Sequence, residues 1–240
     1  MNQVIDTILS HRSIRKFTEQ PISDQQLEAI LNAARAASSS SFIQCVSVIR
    51  VTDTEKRRLL AEYAGGQAYV ETCAEFLVWC SDFSRHVQIK PDAKVGFAEQ
   101  TLIGAVDTAL MAQNAMLAAE SMGLGGVYIG GLRNNPDKVC ELLKLPEHVY
   151  AVFGMCLGHP DQDPEIKPRL PKSIMVHDND YKRIDEETLA EYDEQVREYY
   201  QTRTGGNKST SWTEQISATL DKEARPFMKD FLRRKGYLKF

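Results

Sequence analysis

The sequence predicts a fold that mixes helices with a small sheet, on three observations. Four short runs rich in β-branched and aromatic residues are spread along the chain, which is the composition of strands. Between them lie segments with apolar residues at helical spacing. One of these segments is long and apolar on nearly every side, which marks a helix enclosed by its own domain or by a second subunit. Of 240 residues, 42% are hydrophobic and 26% charged, ordinary for a packed globular chain.

The chain opens on a short helix-like run with apolar Val4, Ile5, Ile8 and Leu9. His11-Arg12-Ser13-Ile14-Arg15-Lys16-Phe17 follows. Close cations repel at roughly 1 kcal/mol per near pair in water, and an anion among them would hold them together. Arginine forks match phosphate oxygens and a serine adds a hydroxyl. The segment therefore reads as a phosphate grip or as a solvated basic turn. Ser23 with Gln26 makes a capping box, and Leu27, Ile30, Leu31 and Ala34 continue as a helix. That helix runs out in Ser38-Ser39-Ser40-Ser41, either a plain polar loop or a ligand-contacting one.

Val46 to Val51 reads as a strand, Asp53 or Thr54 starts a charged helix to about Tyr63, and Gly65-Gly66-Gln67 breaks it. Glu75 to Cys80 reads as a buried strand. Residues from about Ala93 to Met122 form the long helix, with Leu102, Val106, Ala109, Leu110 and Leu117 on one face and apolar residues on others. A subunit interface is the favoured setting. Gly123-Leu124-Gly125-Gly126 ends it, Val127-Tyr128-Ile129 is a strand, and Gly130-Gly131-Leu132-Arg133 follows. The order helix, glycines, strand is the reverse of a dinucleotide fingerprint, so a Rossmann site is rejected. Glycines at a strand end let another backbone or a flat ligand come close.

Asn135 and Pro136 suit the N-cap and first position of a short helix. Ala151 to Leu157 is the last core strand, before a proline-rich segment that carries Lys167-Pro168-Arg169. From about Glu186 the composition turns to polar helices, with a glycine-containing basic loop from Thr202 to Ser211 and further helices from Trp212 and Arg225.

Several function classes are excluded at this level. A net charge of −4 provides no general attraction for nucleic acid or anionic membrane. Asp107, Gln113 and Asn114 inside the most apolar stretch oppose a membrane span. Five cysteines without a C-x-x-C spacing point to a reducing compartment rather than a disulfide framework or structural zinc. The histidines show no paired ligand spacing, so no metal is expected. The first residues lack the basic start and apolar core of a signal peptide, and cytoplasm is the expectation.

Four motifs together, His11 to Phe17, the four serines, Gly123 to Asn134, and Lys167 to Pro171, resemble the flavin reductase–nitroreductase family. The likeness is greatest to its large, NADPH-specific bacterial branch, which holds oxygen-insensitive nitroreductases and flavin reductases of luminous bacteria. The resemblance implies an α+β fold, a mixed sheet flanked by helices, and a homodimer interlocked around the long helix with FMN at the interface. It implies residues 1–185 as an FMN-binding core and 186–240 as a helical extension with an NADPH-associated loop near 201–211. His11, Arg12, Ser13 and Arg15 match the FMN phosphate and ribityl segment. Ser39 and Gln67 match flavin-contacting positions, and Tyr128, Ile129, Gly130 and Gly131 match the stretch along the isoalloxazine. Lys167 and Arg169 match a second cationic clamp, and Arg203 with Lys208 matches the NADPH loop.

The implied chemistry is ping-pong transfer of hydride from NADPH through flavin N5 to nitroaromatics, quinones and free flavins, with no side chain as catalytic group. Arg15 is a candidate for stabilising negative charge on the reduced ring. Two other roles compete: supplying reduced flavin to a partner monooxygenase or luciferase, and carrying or sensing flavin without turnover.

Overall fold

Four strands form one antiparallel sheet in this computed structural model, which describes residues 2–203, 205–206 and 208–240. They are β1 (Val46–Arg50), β2 (Glu75–Asp82), β3 (Gly125–Ile129) and β4 (Val149–Gly158), in the order β1-β2-β4-β3. Every ladder among these strands is antiparallel, so the expected mixed pairing is not found among the described residues. The α+β class is as expected. β2 is buried along its whole length, and Trp79 lies opposite Val48 on one side and Phe153 on the other.

Strand alternation divides the core into two layers. Phe76, Val78 and Cys80 of β2 pack with Leu60, Ala61 and Val139 on one face. Leu77 and Trp79 pack with Ile30, Ala112 and Met116 on the other. Helices α1 (Gln3–Leu9), α2 (Asp24–Arg35), α3 (Thr54–Tyr63), α4 (Tyr69–Thr72), α5 (Ser84–Ile89), α6 (Ala98–Ser121) and α7 (Pro136–Leu142) supply these layers and the connections. The Ser23–Gln26 capping box starts α2 and the Asp53 carboxylate caps α3, both as the sequence indicates. Asn135 and Pro136 hold the N-cap and first positions of α7 as expected, but the Asn135 side-chain amide donates to Tyr63 O (2.9 Å) and makes no capping bond. The apolar side chains of α1 are not buried in this chain.

By length and composition α6 would suit a membrane span, yet it is a core helix here. Apart from Met116, its buried face is made of small and polar residues: Gly104, Asp107, Thr108, Ala112, Ala115 and Ala119. Small residues let it lie close to the sheet: a Cβ on Gly104 would stand 2.0 Å from Ser81 Oγ of β2. The apolar stripe that the sequence marks points the other way, with Leu102, Val106 and Leu110 left 61%, 54% and 44% exposed. Within one chain the helix is therefore covered on one side only.

Residues 1–163 and 225–240 make one compact unit and 164–224 a second. Helix α11 (Met228–Arg234) belongs to the first, where Phe231 and Tyr237 join Phe83 and Tyr150 in an aromatic cluster. The second unit holds α8 (Lys172–Met175), α9 (Glu186–Thr202) and α10 (Trp212–Leu220). Its small core is Tyr192, Val196 and Tyr200 against Leu170 and Trp212. Compactness thus divides the chain at other residues than the change in composition at 185. Thr204 and Asn207, in the expected loop, lie outside the described residues.

Candidate functional site

The basic segment is fixed by its backbone. Ile14 N donates to Gly126 O (2.9 Å) at the start of β3, and Asp161 N donates to Lys16 O (2.9 Å) beyond the end of β4. Ile14 is buried, whereas Ser13 is partly exposed and Arg15 exposed. The cations are not equivalent. His11 Nδ1 donates to Glu120 Oε1 of α6 (2.5 Å), and Arg12 pairs with Asp163 and donates to Ser10 O (3.2 Å). Arg15 is exposed, its amide donates to Gln162 Oε1 (3.1 Å), and no carboxylate among the described residues pairs with its side chain.

Beside β3 lies a cavity of ≈ 610 Å³, the size of a pocket for a small organic ligand. Val106 and Leu110 of α6 form one wall, Tyr128 and Phe153 of the sheet another, and Gly130 and Arg133 the end. The two aromatic rings meet edge to face at 5.3 Å. Tyr128 OH donates to Gln113 Oε1 (3.2 Å), and burial, with Glu120, raises its pKa. Ile129 faces the core, so only its backbone is placed for a ligand. Gly131 is required by its neighbour: a Cβ there would lie 2.3 Å from Ala64 O and 2.4 Å from Gln67 Nε2. Gln67 braces this turn, donating to Ala64 O (2.7 Å) and accepting from Tyr69 OH (2.5 Å).

The serine loop is anchored on α6. Ser39 Oγ donates to Asp107 Oδ2 (2.8 Å) and accepts from Gln44 N (2.6 Å). Its hydroxyl is thus engaged inside the protein, and the neighbouring Ser40 and Ser41 are the exposed serines of the turn. Ser41, Phe42 and Gln44 have φ of 49°, 58° and 55°, each costing about 1–2 kcal/mol for a residue with a Cβ.

In the second unit, Lys167 and Arg203 gather on tyrosines. Lys167 Nζ donates to Tyr200 OH (2.8 Å) and lies 5.2 Å from the ring centroid. Arg203 lies 5.5 Å from the Tyr200 ring and 5.9 Å from the Tyr199 ring. Arg169 donates to Lys167 O (2.7 Å), and Lys208 is exposed. No carboxylate among the described residues pairs with any of these four cations.

Two cations escaped the sequence reading as site residues. Arg133 is half-buried against the cavity and donates to Val152 O; burial first, and then Arg225, lowers its pKa. Arg225 reaches the same turn from far along the chain, donating to Asn134 Oδ1 (2.9 Å) and Gly130 O (3.5 Å). Arg133 could have been suspected from its place just after the glycines; for Arg225 no local signal exists. Asp107 was read only as a charge unfit for a membrane, and its anchoring role emerges from the fold. No cluster suited to a metal ion is found among the described residues.

Two family descriptions match nearly the whole chain: the nitroreductase family over residues 8–159 and the nitroreductase family C-terminal domain over residues 167–239. The chain is 55% identical to the NADPH-flavin oxidoreductase of Vibrio harveyi, covering 100% of both proteins. It is 54% identical to the oxygen-insensitive NADPH nitroreductase of Salmonella typhimurium, covering 99% of both. The solved structure of the NADPH:FMN oxidoreductase from Vibrio harveyi complexed with NAD+ superposes with a TM-score of 0.94 at 54% identity, covering 100% of each chain. On sequence, length and architecture alike, the chain belongs to the nitroreductase family.

Proposed function

We propose that this protein is an FMN-dependent oxidoreductase that uses NADPH to reduce nitroaromatics, quinones and free flavins. Full-length similarity to two NADPH-dependent reductases carries the assignment. The cavity beside β3 supports it, since it offers apolar and aromatic walls, a glycine turn and a half-buried guanidinium to one planar, anionic group. FMN, when bound, would accept hydride from NADPH and pass the electrons on to the oxidant.

The chain's own residues bind and orient. Tyr128, Ile129, Gly130 and Gly131 form the backbone along the flavin ring, with Ser39 and Gln67 at its edges. His11, Arg12, Ser13 and Arg15 serve its phosphate and ribityl chain, and Lys167 and Arg169 are further cofactor ligands. Charge-assisted bonds to phosphate contribute about 1.5–3 kcal/mol each when well formed. Arg15 and Arg133 favour negative charge on the ring. Arg203 and Lys208 take the 2′-phosphate of NADPH, which distinguishes it from NADH. Residues 1–185 are the FMN-binding core, and 186–240 carry the NADPH-associated loop.

The exposed stripe of Leu102, Val106 and Leu110 is the centre of a homodimer interface, where apolar area leaves water at about 25 cal/mol per Å². The protein works in the cytoplasm on small molecules, without nucleic acid or membrane partners. The flavin-reducing relative favours a second role in the same site, the supply of reduced flavin to another enzyme.

The test is turnover by purified protein stripped of flavin and titrated with FMN. NADPH oxidation by a quinone or nitroaromatic should rise with FMN and saturate. Oxidation of NADPH indifferent to FMN would refute the cofactor assignment. A rate with free flavin far above that with quinones would favour the supply role.

A further inference from the structure

We infer that Asp107 is a positioning residue: it holds the turn from Ser39 to Gln44 in a strained form that presents the Phe42 ring and the Ser40 and Ser41 hydroxyls to a planar aromatic substrate. The inference rests on the function proposed above.

Asp107 is 2% exposed on the inner side of α6, and no cation among the described residues pairs with it. Its charge is met by donors from one short stretch: Ser39 Oγ at 2.8 Å, Ser40 N at 3.2 and 3.3 Å, and Cys45 Sγ at 3.7 Å. A buried carboxylate without such donors is costly, so carboxylate and turn fix each other. Ser39 extends the anchor by accepting from Gln44 N at 2.6 Å, and His86 Nε2 donates to Ile43 O at 2.7 Å.

Three residues inside this anchored stretch have left-handed backbone, none of them glycine. Such strain persists only where the surroundings over-determine it, and it gathers at ligand sites. The turn spends it on an outcome that gives the chain no burial: Phe42, next to Ser41 in the chain, is held 81% exposed. An exposed aromatic ring beside serine hydroxyls suits a flat ring bearing polar oxygens, the shape of a quinone or nitroaromatic. Asp107 also ties this turn to the helix whose neighbouring Val106 and Leu110 line the cavity.

The test compares FMN-loaded wild type, Asp107→Asn, Ser39→Ala and the double variant. Asparagine keeps the size but brings two donors to a place where three donors already converge. Amide exchange at Ser40 and Gln44 should become at least ~10-fold faster in Asp107→Asn, through local opening of the turn. KM for a quinone should rise about 10-fold, with kcat and the FMN dissociation constant changed less than about threefold. Ser39→Ala should act in the same direction, and the double variant should be no worse than the poorer single one, since both remove one interaction. A lowered melting temperature with unchanged quinone KM would overturn the inference and leave Asp107 a structural residue; additive effects on KM would overturn it too. If Asp107→Asn does not fold, amide exchange at Ser40 and Gln44 in Ser39→Ala decides, unchanged exchange overturning the inference, because that readout does not depend on the flavin contact assigned to Ser39. Wild type that binds no FMN would instead refute the functional reading itself.

Discussion

The two groups of cations that the sequence marks are held in opposite ways. At the N-terminus, His11 and Arg12 are already matched by Glu120 and Asp163. In the second unit, Lys167 and Arg203 rest on the faces and hydroxyl of tyrosines, and Arg169 on a carbonyl. A carboxylate cancels a cation's charge, whereas an aromatic ring positions it and leaves the charge uncancelled. Cations held by rings are thus organised in advance for an anion. Paired ones must first give up a partner.

The largest effect should follow from removing the cations of the second unit. Lys167→Ala with Arg169→Ala should weaken FMN binding at least ~100-fold, the loss of two charge-assisted interactions, as read by fluorescence titration. Loss of less than about threefold would mean that these cations face solvent only, whatever holds them. Arg203→Ala should come next, raising KM for NADPH about 10- to 30-fold while that for NADH changes less than twofold. Equal rises for both nucleotides would remove Arg203 from phosphate recognition.

The N-terminal pair should give the smallest change. Because Arg12 shares its charge with Asp163, which is largely exposed, Arg12→Ala should weaken FMN less than about fivefold, and Asp163→Asn should tighten it about two- to threefold. A loss on Arg12→Ala as large as that of the Lys167 and Arg169 double variant would erase the distinction between the groups.

Much of the fold was legible because its signals are local. Ser23 with Gln26 and the Asp53 cap start helices where the sequence places them. The β-branched and aromatic runs are the strands, each with ends displaced by a few residues at most. Helices α4 and α5 were missed because four and six residues are too few to show a period. Asn135 has the composition of a cap, but a tertiary bond to Tyr63 O claims its side chain.

The site was less legible than the fold. Gly131 was recognised as a place of close approach, and the approaching group is the backbone of Ala64. The Leu102–Val106–Leu110 stripe was marked correctly as apolar, yet spacing alone gives no sign that it faces away from its own sheet. The meeting of Arg133 with Arg225 depends on how the chain returns through α11, which no motif records. Ser39 illustrates a further limit, for its residue type suggests a ligand contact while its hydroxyl is spent on Asp107 and Gln44.

The measurement that tests the central claim most directly is an anaerobic absorption spectrum of the purified protein, before and after one equivalent of NADPH. A flavin band near about 450 nm should be present, bleach on adding NADPH, and return when a quinone or nitroaromatic is added. A protein that shows no such band even after incubation with FMN, or whose band NADPH leaves unchanged, would contradict the account.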